Sequence, residues 1–344
     1  MPLNLPPYFE PRVMTEVITK RKPLPAFFRD RFFRRRPPQN ASVLEVHVVS
    51  RGRQLAPFVT EHEAGRIVGG RTKEAYTIKA PRLRPKRPFR AVDLLNDMAA
   101  GRSPYDEQTD PVELALVETM DDLRDDIELT VEWMCAQAVT GGKVLVVDNI
   151  EGVQMPVFTV DYQMPAAHRV LLDGADLWSA AGSKLRSGVE GWANLIQEET
   201  GLAPDTLALG KNAWDAFFGH ADVKDSLDTR NVNGGTITLN ANSMFKGVWN
   251  GLEVFVYSAT CPDHTGEVKH LLDPDCALLG CSVNTPADTR IEYGRPVDLA
   301  CKGPAQVFAK AWEQDDPSGL FVLAESRPLP WPRQPGAFVH AKVL

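Results

Sequence analysis

Residues 261 to 281, CPDHTGEVKHLLDPDCALLGC, place three of the chain's five cysteines and two of its seven histidines in one short stretch. Thiolates and imidazoles are the usual zinc ligands, so Cys261, His264, His270, Cys276 and Cys281 pose the question of a metal site. Structural zinc ligands come in close pairs on turns, and in the pattern C-x2-H-x5-H-x5-C-x4-C only Cys261 and His264 form one. Cys276 and Cys281 bracket ALLG, which reads as a strand, and residues an odd number apart on a strand point to opposite faces. The cysteines are therefore expected as buried, reduced, small apolar side chains.

A second concentration of chemistry is acidic. The run DPVELALVETMDDLRDDIELTVEWMCAQAVTGG (110 to 142) carries Glu118, Asp121, Asp122, Asp125, Asp126, Glu128 and Glu132, with Arg124 as its only base. Carboxylates at i and i+4 can hold a di-metal centre, but such centres also use histidine, and this run has none. Neither a metal nor another cofactor is expected. TGGK (140 to 143) and VGGR (68 to 71) lack the complete phosphate-loop pattern, and neither G-x-S-x-G nor H-E-x-x-H occurs, so no enzymatic signature stands out. Like charges four apart on a helix cost roughly a few tenths of a kcal/mol per pair. The acidic face is thus read as solvated or as an interface, with a partner outside the helix to offset it.

The chain supplies that partner. Residues 1 to 90 hold 20 Lys and Arg against 7 Asp and Glu, a balance of +13, and since the whole chain is at −7 the rest carries −20. A basic arm on an acidic body can bind nucleic acid or the body of another copy. PAFFRDRFFRRRPP (25 to 38) mixes arginine with phenylalanine, which a merely solubilising tail does not need, and those rings require a surface. The expected contacts between copies are Phe27, Phe28, Arg29, Phe32, Phe33 and Arg34 in the arm, Arg71, Lys73, Arg82 and Arg84 in the segment that follows, and Asp121, Asp122, Asp125 and Asp126 on the acidic helix.

These residues need elements to hold them. Residues 1 to 42 read as an extended arm with one short helix. SVLEVHVV (42 to 49) and AYTIKAPRLRP (75 to 85) read as the two strands of a long basic loop, bent at GRIVGGRTKE. In 110 to 141, Asp110 is a good N-cap, Pro111 suits the first helical turn, and Leu116, Met120, Leu123, Ile127, Val131, Met134 and Ala138 recur at helical spacing up to Gly141. Such a helix is about 45 Å long. KVLVV and PVFTVDY form a hairpin. Residues 183 to 200 form a second amphipathic helix, Asn212 is placed to cap a short aromatic one, and TLAL, TITL, LEVFVYS and CALLGCSV are strands. The last segment holds AQVFAKAW, GLFVLAES and AFVHAKVL around a Pro-rich bend, RPLPWPRQP. Helices and strands interleave without repeats, so the fold class is α+β. At 344 residues and 43% apolar composition the chain can build more than one core. No apolar run reaches the roughly 18 residues of a membrane span, so no membrane partner is expected, and the chain reads as made and kept in a cytoplasm.

This order of parts resembles the lambda-type phage major capsid proteins, which have the Hong Kong 97 capsid fold. The local likenesses are PAFFRDRFF in the arm, ALGKNAWDAFFGHADVKDSLDTR (208 to 230), LLDPDCALLG (271 to 280), IEYG (291 to 294) and DDPSGLFVLAESRPLP with FVHAKVL near the end. Leu227-Asp228-Thr229-Arg230, after an aromatic helix, is the most specific. The resemblance implies an N-terminal arm (1–42), an extended β-hairpin loop (43–90), a peripheral domain with a spine helix at 110–141 (91–170), an axial α/β domain (171–300) and C-terminal strands returning to the peripheral domain (301–344). It implies a non-enzymatic subunit that self-assembles into hexamers and pentamers of an icosahedral phage head around double-stranded DNA. It further implies assembly in the host cytoplasm, residence in the virion, and scaffold, portal and decoration proteins as partners. Lys73 and Lys79 lie in the loop, but no motif assigns crosslinking partners to them, and covalent joining is not expected. Two other readings use the same residues: an encapsulin-like shell around an enzyme cargo, and a zinc-dependent nucleic-acid-binding protein built on 261 to 281.

Overall fold

The structure, a computed structural model, describes residues 9–20, 26–41, 43–50, 72–90, 111–150, 153–180, 182–226, 235–237, 244–262, 267–285, 287–314 and 319–344. Among these the N-terminal arm contains two helices, Pro11–Lys20 and Phe27–Phe32, where one was expected. The first covers the edge strand Val307–Gln314 of a three-stranded sheet whose order continues through Gly319–Ser326 to Lys86–Arg90. Thr15 completes that cover: the Ala309 amide donates to its hydroxyl at 3.1 Å. An edge strand with its backbone engaged in this way offers less to a stray partner.

The long helix spans Pro111–Thr140. Leu116, Met120, Leu123, Ile127, Val131, Met134 and Ala138 are all buried, as their spacing predicts. The helix packs on Gly319–Ser326, on Pro328–Trp331 and on Lys143–Ile150, which pairs with Val153–Asp161 as a hairpin. Its burial extends further round than expected, because Arg124, Glu128 and Glu132 are buried too. The reading of Glu128 and Glu132 as part of a solvated or interface face is corrected here: the arm lies over them.

The extended loop is a two-stranded sheet, Val43–Ser50 with Thr72–Lys79. Its return strand was expected to run to residue 85 but ends at Lys79. Prolines at 81 and 85 remove amide donors, so between them the chain makes a single bridge, Leu83 to Ser326, and it forms a strand again at Lys86–Arg90, against Gly319–Ser326. The loop's bend, including Arg71, and the Leu227 to Arg230 run lie outside the described residues, as do Asp110 and His264.

A seven-stranded mixed sheet shares the same buried core, in the order Arg169–Leu171, Phe338–Lys342, Cys276–Gly280, Thr206–Leu209, Leu252–Val256, Phe245–Trp249, Gly235–Ile237. Helix Leu185–Thr200 is closed by Gly201, whose φ of 74° is the left-handed conformation that glycine adopts without strain. The short aromatic helix is Lys211–Gly219 with Gly210 as its cap, so Asn212 sits inside it and instead donates to Asp275 at 2.8 Å. One further expectation changes. PLPW, read as a bend, is the strand Pro328–Trp331, paired with Arg290–Tyr293 at the edge of a small sheet where prolines are tolerated. The strands of 301–344 divide among three sheets: Val307–Gln314 and Gly319–Ser326 pair with Lys86–Arg90, Pro328–Trp331 pairs with Arg290–Tyr293, and Phe338–Lys342 runs inside the seven-stranded sheet. Every residue of Phe338–Ala341 except His340 is fully buried there, and since successive side chains point to opposite faces, both faces of the sheet are covered at this strand.

Candidate functional site

The arm's second helix has no side-chain cap of its own, since Ala26 occupies the N-cap position. The long helix supplies one. Glu132 accepts the Phe28 amide on Oε1 at 2.7 Å and the Arg29 amide on Oε2 at 2.8 Å. These are the second and third residues of the arm helix, whose amides no turn of its own can satisfy. Tyr257 of the large-sheet layer donates its hydroxyl to the same carboxylate at 3.1 Å. Burial pushes the Glu132 pKa up, against the hydrogen bonds from Arg29, Phe28 and Tyr257.

The guanidinium of Arg29, fully buried, fans out beside it. Its Nη1 meets Glu128 Oε2 at 2.6 Å, and its Nε and Nη2 hold the two oxygens of Asp30 at 2.7 and 2.9 Å. Burial opposes the Arg29 charge, but Asp30, Glu128 and Glu132 outweigh it and raise its pKa. Arg35 approaches Glu128 at 3.3 Å, and Arg124 donates to the Ile18 carbonyl, tying the arm's first helix to the same point. Charge-assisted bonds of this kind are about twice as strong as neutral ones.

The phenylalanines surround this core. Phe27 stacks on Tyr257 with centroids 5.1 Å apart, Phe28 meets the same ring edge-on at 5.3 Å, and Phe32 meets Phe338 edge-on at 5.5 Å. Gly280 allows the last contact: a Cβ there would fall 2.6 Å from the Phe338 ring and 3.3 Å from Phe32. Phe27, Phe28, Phe32 and Phe33 are all buried, so the surface they require is the chain's own. Arg34 donates from Nε to the Val283 carbonyl at 3.1 Å. Arg31, not singled out from the sequence, bonds Thr206 at 2.6 Å, pairs with Glu253 and lies 4.8 Å over the Phe255 ring.

A second ionic group fixes the base of the loop. Glu325, fully buried, takes Arg82 Nε at 2.9 Å and Nη2 at 2.7 Å, and the Val297 amide at 2.9 Å. Arg84 bridges Glu325 at 3.4 Å and Asp298 at 3.2 Å, and Lys310 reaches Asp298 at 2.5 Å. On the long helix, Arg87 pairs with Asp122 and, at 2.9 Å, with Asp126, and both carboxylates are half-exposed. The Asp125 pKa is raised by partial burial and by the neighbouring charges of Asp121 and Asp122. Lys73 lies in the strand Thr72–Lys79. The offset for the acidic helix therefore comes from the basic region of the same chain. Glu128 and Glu132 as arm ligands, and Glu325 and Asp298 as loop ligands, were not evident from sequence; the one available signal was an Arg-Glu-Glu series, 124, 128 and 132, at helical spacing.

Cys135, Cys261, Cys276, Cys281 and Cys301 are all buried. Burial, aided by neighbouring aspartates, pushes the Cys276 and Cys281 thiols up to about 12, away from the thiolate form that zinc takes. His270 is exposed, and among the described residues no three His, Cys, Asp or Glu side chains gather as a metal site. Among them, too, no helix is long and apolar enough to cross a membrane.

Residues 10–343 match the model of a family described as phage major capsid protein E. The chain belongs to that family. Among solved structures, the fold is similar to a protein described as a prophage capsid protein from E. coli CFT073, with 21% identity, 79% of this chain and 80% of that one covered, and a TM-score of 0.61. A phage-related protein from Bordetella bronchiseptica RB50 follows at 14% identity, with 96% of each chain covered and a TM-score of 0.52. A chain from Gordonia phage Cozz has 14% identity, 94% and 88% covered, and a TM-score of 0.51. No curated protein gives a match. The chain thus has the mixed α+β architecture of Hong Kong 97-like capsid proteins. It is a structural protein that self-assembles into a phage shell and belongs in the virion.

Proposed function

We propose that copies of this chain form the hexamers and pentamers of an icosahedral phage head around double-stranded DNA. In this reading residues 171–300 point to the capsomer centre, the long helix supports the periphery, and the loop of 43–90 lies across a neighbouring copy. Scaffold, portal and decoration proteins are its partners, and assembly takes place in the host cytoplasm. The observation that carries the reading is the family match over residues 10–343, which takes in the arm, the loop, the long helix and the large sheet. The arm lock supports it physically. A shell subunit must keep its shape while its edges are strained, and Glu132, Arg29 and Glu128 join arm, long helix and large sheet at one buried point.

Negative-stain imaging of the purified chain tests this directly. Closed shells or six-membered rings are expected, and a monodisperse monomer at high concentration would overturn it. Particle contents separate this reading from the encapsulin-like one: nuclease-protected DNA is expected in native particles, and a protein cargo without DNA would reverse the choice.

A further inference from the structure

The run from Pro81 to Arg84 separates two surfaces, because its alternate residues face opposite ways. Pro81 and Leu83 join Leu129 and Trp133 of the long helix, and Leu145 and Pro262, around a half-open cavity of about 250 Å³. Among the described residues its lining is aliphatic, aromatic or sulfur-bearing apart from Thr130. Arg82 and Arg84 instead hold the segment 295–303: Arg82 Nη2 donates to the Val297 carbonyl at 3.0 Å, and Arg84 Nη2 meets Asp298 Oδ2 at 3.2 Å.

That segment is fixed at successive residues. The Val297 amide donates to Glu325 at 2.9 Å, the Ala300 amide to the Asp298 carboxylate at 3.0 Å, and the Cys301 amide to the Asp298 carbonyl at 3.1 Å. Arg295 Nη2 closes the turn on the Cys301 carbonyl at 3.1 Å. What this scaffold presents is apolar. Leu299, at 106% exposure, is the most exposed large apolar side chain among the described residues, and Val297 is at 52%. A leucine held wholly in water on an immobilised turn has already lost the backbone freedom that docking would otherwise cost it.

We propose that Leu299, flanked by Val297, seats in the cavity beside Leu129 and Trp133 of a second copy of this chain. The inference rests on the shell-building reading and names one of its contacts. Size fits: a cavity of about 150 Å³ takes a benzene ring, so the larger one here takes a leucine side chain with room for part of a second. Placement fits as well. A projection and a socket on opposite sides of one run cannot meet within a chain, and between copies they form a head-to-tail contact that generates rings or open arrays instead of a closed pair. Charge agrees, since Lys302 is exposed next to the projection, while Asp126 is exposed one helical turn before Thr130 at the socket.

The test uses the full chain under conditions in which the wild type forms particles. Leu299→Asp changes a side chain that touches solvent, so its melting temperature should match the wild type, while the concentration needed for assembly should rise about tenfold or more. In the second arm, Leu299→Cys chains are co-assembled with Leu129→Cys chains and oxidised. A disulfide-linked dimer that needs the Leu299→Cys chain is expected. Unchanged assembly of Leu299→Asp overturns the proposal, and so does co-assembly without a linked dimer, which would leave the socket to another segment or protein. A wild-type chain that forms no particle removes the shell reading together with this one, whereas wild-type particles with an indifferent Leu299→Asp remove this one alone.

Discussion

Glu132 and Glu325 are both buried carboxylates that receive the basic N-terminal region, yet their donors differ. Glu132 holds two backbone amides and a tyrosine hydroxyl, all inside the core, whereas Glu325 holds one amide and two guanidinium groups whose side chains are about a third exposed, with the buried Arg327 further off at 3.8 Å. A donor that can turn to water loses little when its acceptor goes; a donor sealed under phenylalanine rings loses its whole hydrogen bond. The arm is therefore part of the core of the folded subunit, and the loop base is a joint that can be loosened without dismantling what lies beneath it.

Removing each acceptor gives the sharpest contrast. Glu132→Ala should cost about 3–5 kcal/mol, since it leaves the Arg29 charge and two helix amides buried with fewer partners. Urea unfolding measures the loss, and limited proteolysis between residues 20 and 41 should become faster. Glu325→Ala should cost less, about 1–3 kcal/mol, because its two close partners, Arg82 and Arg84, can rehydrate, and the buried Arg327, at 3.8 Å, makes the longer contact. Equal costs at the two sites would break the comparison.

The difference also explains what could be read from sequence. The spacing of Leu116 through Ala138 defined the long helix, since apolar periodicity survives without knowledge of partners. Phe27, Phe28, Phe32 and Phe33 declared their need for a surface, but nothing local says whether that surface is Tyr257 and Phe338 of the same chain or part of another. Glu128 and Glu132 looked like members of a solvated face, because a buried carboxylate is recognisable only beside its donors, and those lie about a hundred residues away. Proline misled once in Pro328–Trp331, whose edge position depends on which strand pairs with it.

Acid should act on the two regions with opposite sign. At the loop base, burial works against the Asp298 charge, but the Lys310 hydrogen bond, the Ala300 amide and the charges of Lys310 and Arg84 outweigh it and hold its pKa below the ordinary 3.8. A lowered carboxylate contributes stability that is present above its ordinary value and lost as pH falls through the folded one. Glu132 is raised instead, so the folded state takes up its proton first, and its contribution grows as pH falls through the folded value towards the ordinary 4.5. Unfolding midpoints followed from pH 7 to about 3 should thus decline less steeply in Asp298→Asn and more steeply in Glu132→Gln than in the wild type. A Glu132→Gln profile parallel to the wild type would show that the carboxylate titrates as if exposed.

The smallest effect on the folded subunit should come from the acidic face of the long helix, where the contrast with the arm is greatest. Asp122 and Asp126 share Arg87 in the open, and exposed pairs of this kind contribute about 0–1 kcal/mol. Asp125 already suffers from Asp121 and Asp122, as its raised pKa records, so replacing it removes a repulsion. The double change Asp125→Lys and Asp126→Lys should then leave the melting temperature within a few degrees of the wild type, while setting lysine against Arg87. If this face also meets the basic region of a neighbouring copy, the same change abolishes particle formation, because a reversed charge repels the partner where a neutral one would merely fail to attract it. Soluble, folded subunits without particles are the expected result. Normal particles would mean that Arg87 and the chain's own loop base account for the whole acidic face, and that the charge imbalance between the N-terminal region and the body is settled within each copy.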